Sequence, residues 1–260
     1  MLPFVRITSK DNSLIKLVTR LQNSGRSRRE HGLFVIEGLR LCRDAAENGF
    51  SFHSLLISED ASERYADVIT QLVERSGKCY ILSDSLFAKI SDTATPQGIM
   101  CLCSLSGRTH NIKPDGRYIA LENLSDPSNL GAVSRTAEAL GLDGIILSAG
   151  GCDPFSPKSL RASMGALLRL PVNALNDFST ELKESGLALF ACVVEKNAKS
   201  ITDIRFSDGC AVLVGNEANG LTPEAVAVSV PITIEMSGRA ESLNAAVAAS
   251  IAMWEMMRRV

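Results

Sequence analysis

The chain has 260 residues, of which 45% are hydrophobic and 22% charged, with a formal net charge of −2 at pH 7. This length suffices for one large domain or two ordinary domains with buried cores. Charged and polar residues interrupt the apolar runs before the ~20 positions that a membrane-spanning helix needs, and the N-terminus lacks the features of a secretory signal, so we expect a soluble cytoplasmic protein.

The first half of the chain predicts a small α/β module. Apolar residues at helical spacing predict a helix over 12–23, and the basic segment 24–32 is predicted to be a linker. Alternating patterns then predict strands at 33–38, 53–59, 78–84 and 98–105, and helices at 39–49, 61–77 and 84–92. The polar segment around 106–116 marks a boundary, which gives domains at 1–106 and 117–260 and a linker at 107–116.

The second half alternates strand and helix throughout. Strands are predicted at 118–124, 144–150, 172–175, 187–194, 210–217 and 231–236, and helices at 127–141, 158–170, 177–186, 222–229 and from 245 onward. Repeated β–α units with apolar strands are typical of a parallel sheet covered by helices on both faces. Ligands of such sheets bind beyond the carboxyl ends of the strands, so the loops after strands carry the functional candidates.

The loop after the strand 118–124 begins a helix with residues that packing does not explain. Asp126 is suited to cap the helix, and Pro127 to its first turn. Asn129 and Gly131 meet no core need, and Arg135 is unfavourably placed for the helix dipole. An ordinary amphipathic helix with an exposed arginine remains an alternative.

The sequence VLVGNEANGLTPE follows a second apolar strand. Gly215 and Gly220 allow tight backbone and close approach of a ligand, with Asn216 and Glu217 at the end of the strand. The segment is neither a P-loop nor a dinucleotide-binding G-x-G-x-x-G. A simple glycine-rich turn remains an alternative.

The third loop, IEMSGRAESLN, precedes the terminal helix. Backbone around Met236 and Gly238 and the side chains of Ser242 and Asn244 converge at the helix N-terminus, where capping alone needs one polar residue. A capping loop remains the alternative.

Basic residues outside these loops suggest contacts with phosphate. Residues 1–29 hold seven Lys/Arg and one acid, whereas residues 111–260 hold 13 basic and 17 acidic residues. In the fourth loop, DPFSPKSLRASMGA, basic residues stand beside small hydroxyls. A merely solvated surface is the alternative for this basic arm, residues 1–30. The candidates for phosphate contact are Arg26, Arg28, Arg29, Lys158, Arg161 and Ser163.

The cysteines and histidines do not form a metal-site pattern. The seven cysteines are an odd number without a C-x-x-C pair, which favours reduced core cysteines. The histidines at 31, 53 and 110 are scattered. We therefore predict no metal site.

Three segments together resemble the motifs of the SpoU (TrmH-like) branch of the SPOUT RNA methyltransferases: N-L-G-A-V-S-R at 129–135, G-N-E-A-N-G-L at 215–221 and I-E-M-S-G-R-A-E-S-L-N at 234–244. F-V-I-E-G at 34–38 and P-Q-G-I at 96–99 resemble an L30e-like substrate-binding domain. The resemblance implies transfer of a methyl group from S-adenosylmethionine to a ribose 2′-hydroxyl in RNA. It also implies a deep trefoil knot in the parallel-sheet domain and a homodimer through that domain.

The resemblance also assigns residues. It implies a catalytic set of Asn129, Arg135, Glu217, Ser242 and Asn244. It implies cofactor contacts at Leu213, Val214, Gly215, Asn216, Gly220, Ile234, Met236, Gly238, Ser242 and Leu243. The chain departs from the common motifs at Ala218, Glu235, Ala245 and Ala246.

The chemistry of methyl transfer limits the roles that these residues can have. An activated methyl cofactor needs no metal, only binding, alignment and handling of charge. Arginine is a poor base at neutral pH, so we expect Arg135 to hold a phosphate and stabilise the developing alkoxide, while Glu217 orients Arg135 or Asn129. By analogy, the N-terminal module favours large-subunit (23S-type) ribosomal RNA over transfer RNA.

Two rival functions remain. One is a non-catalytic RNA-binding protein on a methyltransferase fold, and the retained polar set argues against it. The other is a Rossmann-type metabolic enzyme, which predicts a G-x-G-x-x-G motif that the sequence lacks.

Overall fold

The strands of the chain form two sheets in two separate units. The computed structural model describes residues 4–105, 111–195 and 197–258, so His110 and part of the predicted linker 107–116 lie outside the described residues. The N-terminal unit contains the described residues up to Leu105 together with Phe155–Arg161, and the C-terminal unit contains the rest. Within the described ranges, no helix is long and apolar enough to cross a membrane.

The segment Phe155–Arg161 differs from the sequence-based boundary, because we expected it in the C-terminal domain. The ring of Phe155 packs on that of Phe34, with centroids 4.8 Å apart. Phe34 is fully buried. Aromatic packing therefore attaches this segment to the N-terminal unit.

The sheet of the N-terminal unit has five strands in the order β1-β4-β3-β5-β2. Strand β5 runs antiparallel to both of its neighbours, and the remaining pairs are parallel. The strands are β1 (Phe4–Ile7), β2 (Leu33–Glu37), β3 (Phe52–Ser58), β4 (Ser76–Leu82) and β5 (Ile99–Ser104). Four of these strands were predicted from the sequence, and β1 was not.

The helices of this unit are α1 (Ser13–Asn23), α2 (Gly25–His31), α3 (Leu39–Glu47), α4 (Glu59–Arg64), α5 (Ala66–Glu74) and α6 (Asp84–Ile90). The prediction of a linker at 24–32 is wrong, because α2 begins with a Ser24 cap and ends at Gly32 in the left-handed conformation. The single helix predicted over 61–77 is two helices, broken where Tyr65 leaves helical geometry.

The sheet of the C-terminal unit has seven strands in the order β10-β12-β9-β11-β6-β7-β8. All of its strand pairs are parallel, as the alternating pattern predicted. The strands are β6 (Arg117–Leu121), β7 (Gly144–Ser148), β8 (Val172–Leu175), β9 (Ala188–Cys192), β10 (Lys199–Ser200), β11 (Cys210–Val214) and β12 (Val230–Thr233). The trefoil knot that the resemblance implies stays a prediction.

The remaining helices are α7 (Pro127–Leu140), α8 (Pro157–Ser163), α9 (Ala166–Arg169), α10 (Phe178–Glu184), α11 (Pro223–Ala227) and α12 (Ala245–Met257). The continuous helix predicted over 158–170 is wrong. Met164 and Gly165 take positive φ angles of 49° and 90°, which interrupts the helix between α8 and α9. A left-handed methionine gives no signal in the hydrophobic periodicity.

Helix α12 packs against α7, and most of its buried residues are alanines. Ala249 and Ala252 are fully buried, and Met253 is buried with them. Alanines without longer side chains let two helix backbones approach closely. This packing places the N-terminus of α12 beside that of α7, at the edge where the parallel strands end.

Candidate functional site

Helix α7 follows β6 after a loop of five residues, and local hydrogen bonds fix its start. Asp126 accepts a hydrogen bond from the backbone N–H of Ser128 at 2.8 Å, with Pro127 in the first turn. A Cβ on Gly131 would lie 2.4 Å from the Cβ of Ala162, so only glycine fits there. Gly131 thus has a packing role, and the expectation that it meets no core need is wrong.

The three motifs meet in one hydrogen-bonded chain of side chains. The Nδ2 of Asn129 donates to the Oε1 of Glu217 at 2.6 Å, and the Nδ2 of Asn244 donates to the Oδ1 of Asn129 at 3.2 Å. Ser125 donates from its hydroxyl to the Oε2 of Glu217 at 3.2 Å. Both polar atoms of the Asn129 amide are therefore occupied, which fixes the orientation of this side chain.

Asn244 has a second contact that explains its position. Its Oδ1 accepts from the backbone N–H of Ala246 at 2.9 Å and of Val247 at 3.3 Å, which caps α12. A single amide thus closes a helix end with its oxygen and binds Asn129 with its nitrogen. The capping interpretation of this residue is confirmed, and its role in the site stays a prediction.

Glu217 is held as an anion. Burial opposes its charge, but hydrogen bonds from its own backbone, from Asn129 and from Ser125 outweigh that effect and lower the pKa of its carboxyl below the ordinary value. At neutral pH the carboxylate therefore accepts hydrogen bonds only. Of the two partners expected for Glu217, the structure selects Asn129.

Arg135 lies two turns along α7 from the helix start and is exposed. Ser242 is also exposed, in the loop before α12. In the described part of the chain, neither side chain makes a hydrogen bond or ion pair. The set that the resemblance implies therefore consists of a hydrogen-bonded trio, Asn129, Glu217 and Asn244, and two side chains that face solvent.

A cavity of about 410 Å³ lies at the carboxyl ends of β9, β11 and β12. Eight of the ten residues expected to contact the cofactor line it: Val214, Gly215, Asn216, Gly220, Ile234, Met236, Ser242 and Leu243. Among its described wall residues are the carboxylates of Glu195, Glu217 and Glu241, and none is Lys, Arg or His. The cavity therefore suits a ligand that carries positive charge and apolar surface.

Leu213 and Gly238 are the two expected contacts outside this wall. Leu213 is fully buried in the core between the sheet and its helices. Gly238 is exposed in the loop that follows β12. Cofactor contact at these two residues stays a prediction.

Two parts of the site were not predicted from the sequence. The last residue of β9 and the chain after it, from Cys192 to Glu195, line the cavity. The end of the predicted strand 187–194 is the signal that could have identified this segment. The other is Ser125, which donates a hydrogen bond to Glu217. No periodicity marks such a residue.

The six candidates for phosphate contact, which the resemblance assigns to RNA, have different surroundings. Arg26 and Arg29 are exposed, and Arg26 pairs with Glu30 one helical turn away. Arg28 is 4% exposed, and its guanidinium donates to the carbonyl oxygens of Leu21 and Gln22. Arg28 therefore secures the junction of α1 and α2 from inside, and the expectation of an RNA contact is corrected.

The candidates in the segment 158–163 also divide. Lys158 is exposed, whereas Arg161 pairs with Asp92 inside the N-terminal unit. Ser163 is fully buried, so its hydroxyl is not available to RNA. The expectation for Ser163 is corrected too, because the sequence of this loop, DPFSPKSLRASMGA, does not show which of its residues face inward.

Comparison with known proteins agrees with this geometry. A family model described as SpoU rRNA Methylase family matches residues 116–254, and one described as MRM3-like substrate binding domain matches residues 12–101. The first range lies in the C-terminal part of the chain and the second in the N-terminal part.

Full-length relatives and a solved structure point the same way. An uncharacterized tRNA/rRNA methyltransferase of Synechocystis is 31% identical, over 97% of this chain and 93% of that protein. The 23S rRNA (guanosine(2553)-2′-O)-methyltransferase of Bacillus subtilis is 29% identical, over 96% and 98%. A crystal structure of an AdoMet-bound rRNA methyltransferase from Sinorhizobium meliloti matches with a TM-score of 0.86 and 29% identity, over 97% of each chain. The chain belongs to the SpoU rRNA methylase family.

Proposed function

We propose that this protein transfers the methyl group of S-adenosylmethionine to a ribose 2′-hydroxyl of ribosomal RNA, in the cytoplasm. The observation that carries the proposal is the side-chain network of Asn129, Glu217 and Asn244 beside the acidic cavity. The named activities of the relatives support the same reaction. Large-subunit RNA is the favoured substrate, and transfer RNA is the less favoured one.

The cavity fits the cofactor by size and by charge. Its volume of about 410 Å³ is within the range of small-molecule sites, about 300–1,000 Å³. S-adenosylmethionine carries a positive sulfonium and an ammonium group, which the carboxylates of Glu195, Glu217 and Glu241 would favour. When bound, the cofactor supplies an activated methyl group, and the protein has only to bind, align and manage charge.

Different residues of the chain bind the nucleotide, orient the ribose and stabilise the developing charge. Asn129, fixed at both ends of its amide, holds the ribose in one orientation, and Ser242 contacts the nucleotide from the loop before α12. Arg135 binds the adjacent phosphate and stabilises the alkoxide as it develops. Because arginine stays protonated, the hydroxyl proton leaves to phosphate or water.

The test is methyl transfer by the purified protein with isotopically labelled S-adenosylmethionine and ribosomal RNA, followed by nucleoside analysis. The proposal predicts label in a 2′-O-methylated nucleoside. Labelled bases alone would overturn it. RNA binding without cofactor binding would favour the non-catalytic alternative.

The exposed arginines of α2 are proposed to bind the RNA backbone. Replacing Arg26 and Arg29 by glutamine should weaken RNA binding and reduce its salt slope by about 0.7–0.9 for each phosphate that the protein no longer neutralises. Affinity for the cofactor should not change. Binding is measured over a series of salt concentrations, with Arg64→Gln as control, because Arg64 is an exposed arginine with a comparable i,i+4 acidic partner on α4. An unchanged slope would show that α2 does not meet RNA.

We also propose a homodimer through α12. Val247, Ile251 and Trp254 lie on one face of this helix and are 47%, 37% and 62% exposed. These spacings of four and three residues form a continuous apolar stripe. A second copy of the chain that covers this stripe removes apolar surface from water, which stabilises the dimer.

Replacing Ile251 and Trp254 by glutamate should convert the dimer into a monomer, raising its dissociation constant about a hundredfold or more, because unpaired charges would be buried. Analytical ultracentrifugation measures the mass. The matched control is Val230→Glu, an apolar position of the same unit that is 42% exposed outside α12. A double variant that sediments as a dimer would contradict the assignment.

A further inference from the structure

Glu122 is a buried carboxylate with no part in the reaction described above. It follows the last residue of β6 and is 4% exposed. Its backbone N–H donates to the carbonyl oxygen of Val214 at 2.9 Å, which extends the pairing of β6 with β11 by one residue. The side chain therefore starts from a rigid position at the edge of the sheet.

Both carboxylate oxygens of Glu122 contact one residue, Thr222. The backbone N–H of Thr222 donates to Oε2 at 2.8 Å, and its hydroxyl donates to Oε1 at 2.7 Å. The same hydroxyl accepts from the N–H of Ala225 at 3.2 Å and so caps α11. Thr222 directly follows the loop 215–221, so Glu122 fixes the end of this loop.

The residue after Glu122 fixes the beginning of the loop. Asn123, in the left-handed conformation with φ +53°, accepts at its carbonyl oxygen from the Nδ2 of Asn216 at 2.8 Å. Its own N–H donates to the Oγ of Ser148 at 2.7 Å. Two consecutive residues after β6 thus hold both ends of a loop that forms one wall of the cavity.

We propose that Glu122 is a positioning residue for the cofactor, acting through Thr222 on the 215–221 loop. Burying a carboxylate costs free energy of folding. A well-packed apolar pair in its place often gives the same stability. The two hydrogen bonds of Glu122 instead fix the loop that carries Glu217 and Gly215. This inference rests on the proposed function, because it assumes that the cavity binds S-adenosylmethionine.

The test measures the Kd of S-adenosylmethionine by calorimetry for the full-length protein and for Glu122→Gln. Glutamine replaces one acceptor by an amide N–H group that faces a donor. We expect the Kd to rise about tenfold, the loss of a hydrogen bond to a charged group, and kcat at saturating cofactor to change little. Thr222→Ser keeps both donors and should bind the cofactor like the parent protein.

Two comparisons separate positioning from general destabilisation. Asp177→Ala removes the cap of α10, where Asp177 accepts from Thr180, in the same unit but outside the cavity wall; it should lower Tm without raising the cofactor Kd. The double variant with Thr222→Val and Glu122→Gln should raise the cofactor Kd little more than the single variant with the larger effect. Both changes break the same contact.

The outcomes distinguish two failures. If the parent protein itself does not bind S-adenosylmethionine, the proposed function fails. If the parent binds but Glu122→Gln shows the parent's Kd, or lowers Tm as Asp177→Ala does without raising the Kd, the positioning role of Glu122 is overturned.

Discussion

Replacing Arg135 by alanine should lower kcat about a hundredfold to a thousandfold, with little change in the affinity for S-adenosylmethionine. The magnitude is that of losing one group that stabilises a developing oxyanion. Arg135 is exposed on α7 and makes no ion pair within the described residues, so its removal leaves no buried charge unpaired. The measurement is single-turnover methylation at saturating RNA and cofactor.

Two further variants test whether the effect is specific to the guanidinium group of Arg135. Arg135→Lys keeps the charge but loses the planar pair of donors, so its rate should fall between the parent and the alanine variant. Arg205→Ala removes another exposed arginine of the same unit and should leave the rate unchanged. A near-normal rate for Arg135→Ala at saturating RNA would exclude Arg135 from the chemical step.

Replacing Gly215 by alanine should raise the Kd of the cofactor about a hundredfold. A Cβ at this position would lie 2.1 Å from the carbonyl carbon of Gly220 and 2.3 Å from the nitrogen of Leu221. Both are backbone atoms, so the 215–221 loop would have to open. Overpacking of this kind costs about 1–3 kcal/mol, and here the distortion falls on the wall of the cavity.

The control for Gly215 is a similar clash elsewhere in the unit. Gly144→Ala would place a Cβ 2.8 Å from the carbonyl oxygen of Pro171, away from the cavity wall. It should lower Tm and leave the cofactor Kd of the folded protein unchanged. Equal Kd values for the Gly215→Ala variant and the parent would show that loop closure at Gly215 does not shape the cofactor site.

The sequence predicted the parts of the site that follow from strand endings. Asn129, Glu217 and Asn244 come from loops up to 115 positions apart, and their amide and carboxylate groups meet in the structure. Parallel strands end at a common edge, so the alternating pattern was enough to expect them together. The hydrogen bonds that join them could not be read from the pattern, because the side-chain orientations depend on packing.

Other features could not be predicted, for identifiable reasons. Arg28 belongs to a basic run, and only the fold shows that it turns inward to the carbonyl oxygens of α1. The interruption after α8 depends on a methionine at positive φ, which propensity disfavours. Glu122 was not singled out, since a charged residue after a strand is more often exposed than buried.

The polar residues before α12 illustrate how function modifies local structure. Asn244 alone caps the helix, as capping requires. Its amide nitrogen also binds Asn129, and Ser242 lines the cavity. In the proposed site, the set of polar residues therefore serves cofactor and ribose in addition to the helix.

The most direct test of the central claim is mass-spectrometric mapping of 2′-O-methylated nucleotides in the RNA of cells with and without this protein. We expect one or a few positions in large-subunit ribosomal RNA to lose the modification without the protein. The parent chain should restore them and Arg135→Ala should not. Identical 2′-O-methylation patterns with and without the protein would contradict the assignment.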